Sequence, residues 1–120
     1  MSFLTYIASD SPIPESELLW PLGGEDIYTV KRYIAAVDPG LEDLQLLVDF
    51  LKDFAGTKGE IEIWHIWQGI EYRPVIRSRE VAADALTEDH LKVLRDKDVA
   101  NETVTDYGIP VQYRIVVTSV

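Results

Sequence analysis

The chain contains no cysteine. That excludes disulfides, thiolate nucleophiles and cysteine-ligated zinc, and it fits a reducing compartment such as the cytoplasm. Histidine is almost as scarce, with only His65 and His90. Neither belongs to a His-x-x-x-His or His-x-Glu pattern, so the residues give no metal signature. No glycine-rich loop suited to cradling phosphate is present, and Gly23-Gly24 is only a turn signal. No apolar run reaches the length of a membrane span. The start, Met1 to Asp10, lacks a basic leader, and Thr5 interrupts its short apolar run, so it does not read as a signal peptide. Ser9, Ser11 and Ser78 lack the setting of a nucleophile elbow.

Positive charge is also in short supply. Lysine and arginine number 11 against 21 acidic residues, a formal net charge of −10. Such a chain is repelled by nucleic acid and by anionic membranes, and attracts basic proteins. Charge of this sign also serves solubility alone. At 120 residues the chain reads as one domain, 1–120, able to bury a core without staples.

The strongest pattern present is Glu60 to Gln68, Glu-Ile-Glu-Ile-Trp-His-Ile-Trp-Gln. Side chains alternate along a strand. Ile61, Ile63, His65 and Trp67 share one face; Glu60, Glu62, Trp64, Ile66 and Gln68 share the other. The second face is charged at first and apolar from Trp64 onward. A strand with one solvated face keeps that face polar throughout, so the second half is expected to be covered on both sides. A second strand follows, Arg73 to Val81. A hairpin pairing Gln68 with Arg73 would set Arg77 over Trp64 and Arg79 against Glu62. Arg73, Arg77, Arg79 and Glu80 suit an edge position. The arginines could also receive a carboxylate or phosphate, but this register occupies two of them.

Elsewhere, Phe3 to Ser9 reads as a strand. Asp10 to Asp26 is a long connection in which Pro12, Pro14 and Pro21 prevent a helix or an extended ladder. Its Ile13, Leu18, Leu19, Trp20 and Leu22 require burial somewhere. Leu18 to Leu22 either folds back on a sheet edge or forms a binding loop anchored by Trp20. Ile27 to Val37 is a strand. Asp38-Pro39 caps a helix from Gly40 to Ala55, with Gly56 ending it. Thr87 caps a second helix, Glu88 to about Asp96. Ile109 to Val120 is the last strand.

The order is ββαββαβ. It predicts an α+β, two-layer fold: a mixed sheet of about five strands with two helices on one face, in the ferredoxin-like manner. One feature conflicts with that topology. It places the strand after the first helix at an edge and the next one inside, whereas here the tryptophan-rich strand looks interior and the arginine-rich strand looks like the edge.

The segments Phe3 to Asp10, Glu25 to Thr29, Glu60 to Trp67 and Leu86 to Asp89 resemble a group of small uncharacterised bacterial proteins. Trp64-His65-Ile66-Trp67 is the most specific part. The resemblance implies a bacterial cytoplasmic protein and transfers no activity or catalytic residue.

His65 titrates near neutrality and is the natural acid-base candidate. Its apolar neighbours favour a neutral core histidine bonded to a neighbour, and His90 reads as a surface residue. Asp10 reads as a turn residue. Asp84, Glu88 and Asp89 lack the spacing of a calcium loop. The sequence therefore assigns no catalytic, cofactor-binding or metal residue. It favours a non-enzymatic protein-interaction module of the regulatory or immunity type, with Trp20, Trp64, His65, Trp67 and Arg77 as candidate contacts. Two alternatives stand beside it. One is a small-molecule binder or enzyme with a pocket between the sheet and the 10–26 loop, using His65, Tyr6, Tyr33 and Tyr113. The other is a homodimer.

Overall fold

The computed structural model describes residues 3–20, 29–67, 76–92 and 112–119, with backbone alone at 3–4, 66–67, 76–77 and 112. The strands are β1 (Phe3–Ser9), β2 (Leu19–Trp20), β3 (Tyr33–Val37), β4 (Ile61–Trp67), β5 (Ile76–Ala82) and β6 (Gln112–Thr118). The helices are α1 (Leu44–Lys58) and α2 (Glu88–Lys92), the latter preceded by a 3₁₀ turn at Ala83–Ala85. The fold is α+β, as the pattern predicts, with a mixed sheet of six strands in the order β2-β3-β1-β4-β6-β5. The sixth strand is the Leu19–Trp20 pair, which folds back on the sheet edge against Val37 and Ala36.

Every pairing in the sheet joins residues of like parity, from Trp20 with Ala36 to Ser78 with Arg114. Because side chains alternate, the described odd-numbered side chains of the strands point to one face and the even-numbered ones to the other. The odd face is the core. Ile7, Ala35, Val37, Ile61, Ile63, Val81, Ile115 and Val117 pack there against Leu47, Val48, Leu51 and Phe54 of α1 and Leu91 of α2. Both helices therefore cover one face. The even face carries a smaller cluster of Tyr6, Ala8 and Trp64, flanked by Ile34 and Ala36.

The expected hairpin between the tryptophan-rich and arginine-rich strands does not form. β6 lies between them, antiparallel to β4 and parallel to β5. Trp64 pairs with Arg114 and Arg77 pairs with Tyr113. Two parallel strands joined by a helix sit side by side readily, with helix and sheet burying one another's apolar faces. Here β5, α2 and β6 do so, which displaces the sequence-adjacent pairing. β4 is interior and β5 is at the edge, as their side chains suggest and opposite to the ferredoxin-like placement.

The first helix also starts later than expected. Asp38 makes a turn instead, accepting from Gly40 N at 2.9 Å, with Leu41 N donating to its carbonyl at 3.0 Å. Asp43 is the cap, accepting from Gln45 N at 3.0 Å. Gly56 lies inside the helix, and Gly59, with φ of 102°, ends it. The strand expected at Ile27–Val37 is confined, among the described residues, to Tyr33–Val37. Its beginning, and the far ends of the expected 88–96 helix and 109–120 strand, fall outside the described residues. No described helix is long and apolar enough to cross a membrane.

Candidate functional site

The even face holds a row of side chains that crosses the whole sheet: Trp20, Ala36, Tyr6, Trp64, Arg114 and Ser78 are successive register partners. At the middle of the row Trp64 is fully buried. Its indole Nε1 donates to Glu62 Oε1 at 2.9 Å, and the Arg114 guanidinium lies 5.4 Å from its ring centroid. Arg114 Nε donates to Ser78 Oγ at 2.9 Å, and its Nη1 stands 3.9 Å from Glu62 Oε2. Glu62 is only 4 % exposed. A carboxylate so placed requires donors, and Thr29 Oγ1 supplies a further one at 2.6 Å.

The stretch leading into β3 is tied to the same face. Lys31 Nζ lies 2.9 Å from Glu60 and 3.2 Å from Asp10. The hydrogen bond to Glu60 raises the lysine pKa above its ordinary value; burial opposes the shift and Asp10 adds to it. Asp10 thus serves as an ion-pair partner. Tyr6, Ala8, Ile34 and Ala36 pack around Trp64, and Thr29 and Lys31 fasten the chain over its acidic neighbours. The sequence expectation that this strand is buried on both faces holds at Trp64.

His65 lies on the opposite, helix-covered face. It is 6 % exposed, and its Nδ1 is 3.2 Å from Thr5 Oγ1. His90 is half-buried and accepts from Thr87 N at 3.0 Å through Nδ1, which satisfies a donor at the start of α2. Glu88 and Asp89 stand 4.0 and 3.7 Å from Lys92 on the same short helix. The backbone of Trp67 pairs with Phe3 and that of Arg77 with Tyr113; their side chains lie outside the described ones. Arg79 is exposed on β5, opposite Ile115, and does not meet Glu62.

A cleft of about 410 Å³ opens at the other end of the row, where the 13–16 loop faces the β2–β3 edge. Ile13, Pro14, Leu19, Trp20, Tyr33 and Ile34 form its apolar lining, with Glu15 and Ser16 as polar contributors. Trp20 is 45 % exposed and Tyr33 36 % exposed. Of the five candidate contacts read from the sequence, Trp20 lines this cleft, Trp64 and His65 do not, and the side chains of Trp67 and Arg77 lie outside the described ones. Tyr33 joins it; His65, Tyr6 and Tyr113 do not line it. Glu15 and Ile34 went unnoticed as site residues. The available signal was the apolar Ile13-Pro14 pair directly before an acid, within a loop otherwise rich in turn residues. Arg114 was missed as the partner of Trp64, although it is the one charged residue of β6.

No family model matches the chain, and neither a curated protein nor a solved structure is significantly similar to it.

Proposed function

We propose that this protein is a non-enzymatic interaction module, of the regulatory or toxin-neutralising kind, that binds a protein partner through the Trp20–Tyr33 cleft. The observation carrying this reading is the half-exposed Trp20 beside half-exposed Tyr33 on an apolar cleft. Large aromatic rings are costly to leave in water and are the commonest anchors of protein interfaces. Trp20 is held by its pairing with β3, so its ring is presented from the sheet and not from a free loop. A cytoplasmic setting goes with this reading and is supported by the lack of cysteine. A cleft volume of about 410 Å³ also suits a small ligand. Its place at the end of a sheet, with apolar lining on several sides, favours a polypeptide.

The test is selection of a displayed peptide library on the parent protein, with counter-selection on the Trp20→Ser, Tyr33→Ser double variant. Enriched peptides are expected to shift the amide resonances of Tyr33, Ile34 and Ala35. Peptides that bind parent and variant equally, or that shift only residues of the β5 edge, would sink the reading.

A further inference from the structure

The two walls of the cleft begin at one point in the fold. The 13–16 loop leaves β1 through Asp10-Ser11-Pro12. The facing wall, 33–35, follows Lys31-Arg32. Tyr33 is the register partner of Ser9, so Asp10 and Lys31 lie just beyond a paired position of the sheet. Their side chains meet there, with Lys31 Nζ 3.2 Å from Asp10 Oδ2. The two ends of this ion pair are held differently. The Lys31 side chain is 14 % exposed and also bonds Glu60 at 2.9 Å, which seats it at the start of β4. Thr29 holds the same segment to buried Glu62 at 2.6 Å. Val30, between them, is exposed, so these polar contacts and not apolar burial at that residue seat the segment. The Asp10 side chain is 68 % exposed. Its chain is bonded at Ser11, to Ser9 Oγ and Lys58 O, and meets the core again at Ile13. Salt reaches a contact with one end in solvent, and a competing charge can replace it.

Building on the interaction reading, we infer that Asp10 and Lys31 are positioning residues of the cleft: their ion pair clasps its two walls at the base and sets how well a partner's side chains fit between them. Neither residue lines the cleft. Asp10 acts through the 13–16 loop that follows it, and Lys31 through the first residues of β3. With the pair made, the loop is held against β3. With it screened or out-competed, the loop wall moves away while Lys31 stays on Glu60. The width of the cleft therefore responds to ionic strength even when the molecule that occupies it is uncharged.

The test exploits the absence of cysteine. A neutral nitroxide on Glu15→Cys reports from the loop wall, and its paramagnetic broadening is read at the amides of Tyr33, Ile34 and Ala35 in the full chain. Lys31→Gln is expected to raise the open-to-closed ratio of the walls by about fivefold, the upper range for an exposed ion pair, and to weaken the broadening accordingly. Lys31→Arg should restore it. Asp10→Asn should weaken it as Lys31→Gln does while leaving the Thr29 and Glu62 amide resonances in place, because Glu60 still seats Lys31. Should Lys31→Gln fail to fold, Asp10→Asn, which changes an exposed side chain, carries the same test. About 1 M sodium chloride, where the screening length is about 3 Å, should open the parent and leave Lys31→Gln unchanged. Equal broadening in the parent, Lys31→Gln and Asp10→Asn would overturn the clasp. Peptides enriched in the library selection should bind Asp10→Asn about fivefold more weakly, and Lys31→Arg as tightly as the parent. Equal binding to all three would overturn the clasp's part in the fit while leaving the cleft as an interaction site. An empty selection beside the expected salt response would overturn the interaction reading and leave the clasp standing.

Discussion

The guanidinium of Arg114 lies over the indole of Trp64, and both groups reach the same carboxylate, Glu62. The three residues come from two strands far apart in sequence and lie together on the even face. Their arrangement places hydrogen-bonded polar groups beside a fully buried ring. Removing Glu62 would leave the Trp64 N–H and the Thr29 hydroxyl without this acceptor. Glu62→Ala is expected to cost about 2–3 kcal/mol, the penalty of orphaned buried donors. Arg114→Ala, which removes a half-exposed cation over a ring, is expected to cost about 1 kcal/mol. Urea unfolding of both variants gives the comparison. An Arg114 loss exceeding the Glu62 loss would contradict this division of roles.

Lys31 predicts an alkaline limb in the stability profile. Its pKa is raised in the fold, chiefly by the hydrogen bond to Glu60. A raised folded pKa means the native state holds the proton more tightly than the unfolded chain. The resulting stabilisation is complete below the ordinary lysine value of 10.5 and is lost as pH rises through the folded value. Lys31→Gln should remove that contribution, so the stability difference between parent and variant should shrink above pH 10.5. Thermal unfolding from neutral to strongly alkaline pH checks it. A difference that stays constant across this range would show that Lys31 does not titrate as described.

The element types were readable because alternation and helical spacing are local properties. The double burial of Trp64 was readable for the same reason, since an apolar residue following two glutamates on one strand face needs a cover. The partner of that tryptophan was not readable. Arg77 and Arg114 both sit on strands in which they could meet the ring, and the short connection at 68–75 favoured Arg77. What decided the matter was a nonlocal term, the side-by-side packing of β5, α2 and β6. The start of α1 was ambiguous for a different reason. Asp38 and Asp43 are both suitable caps, and each accepts from the backbone N two residues on. The cleft was legible only through Trp20, because Glu15 and Ile34 are brought to it by the way β2 pairs back on β3.

His65 is expected to act on stability. It is buried on the helix-covered face beside Thr5, away from the cleft. His65→Ala removes a ring from a packed site and one side of a buried polar contact. The expected loss is about 2 kcal/mol by chemical denaturation. Binding of cleft-directed peptides should be unchanged below the melting transition. A variant with the parent's unfolding midpoint would show that the ring contributes nothing to the core.

Two glycines three residues apart should respond in opposite directions to the same substitution. Gly56 lies inside α1, exposed, with open space where a Cβ would go. A glycine in a helix interior costs roughly 0.5–1 kcal/mol relative to alanine through its backbone freedom in the unfolded chain. Gly56→Ala should therefore stabilise by that amount. Gly59 also has open space around it, but its backbone sits at φ of 102° and ψ of −168°. That region is almost closed to residues with a side chain. Gly59→Ala should destabilise by about 1–3 kcal/mol, entirely through backbone strain. Because neither Cβ meets a neighbour, the pair isolates conformation from packing. Equal shifts in melting temperature for the two variants would mean that α1 does not end at Gly59.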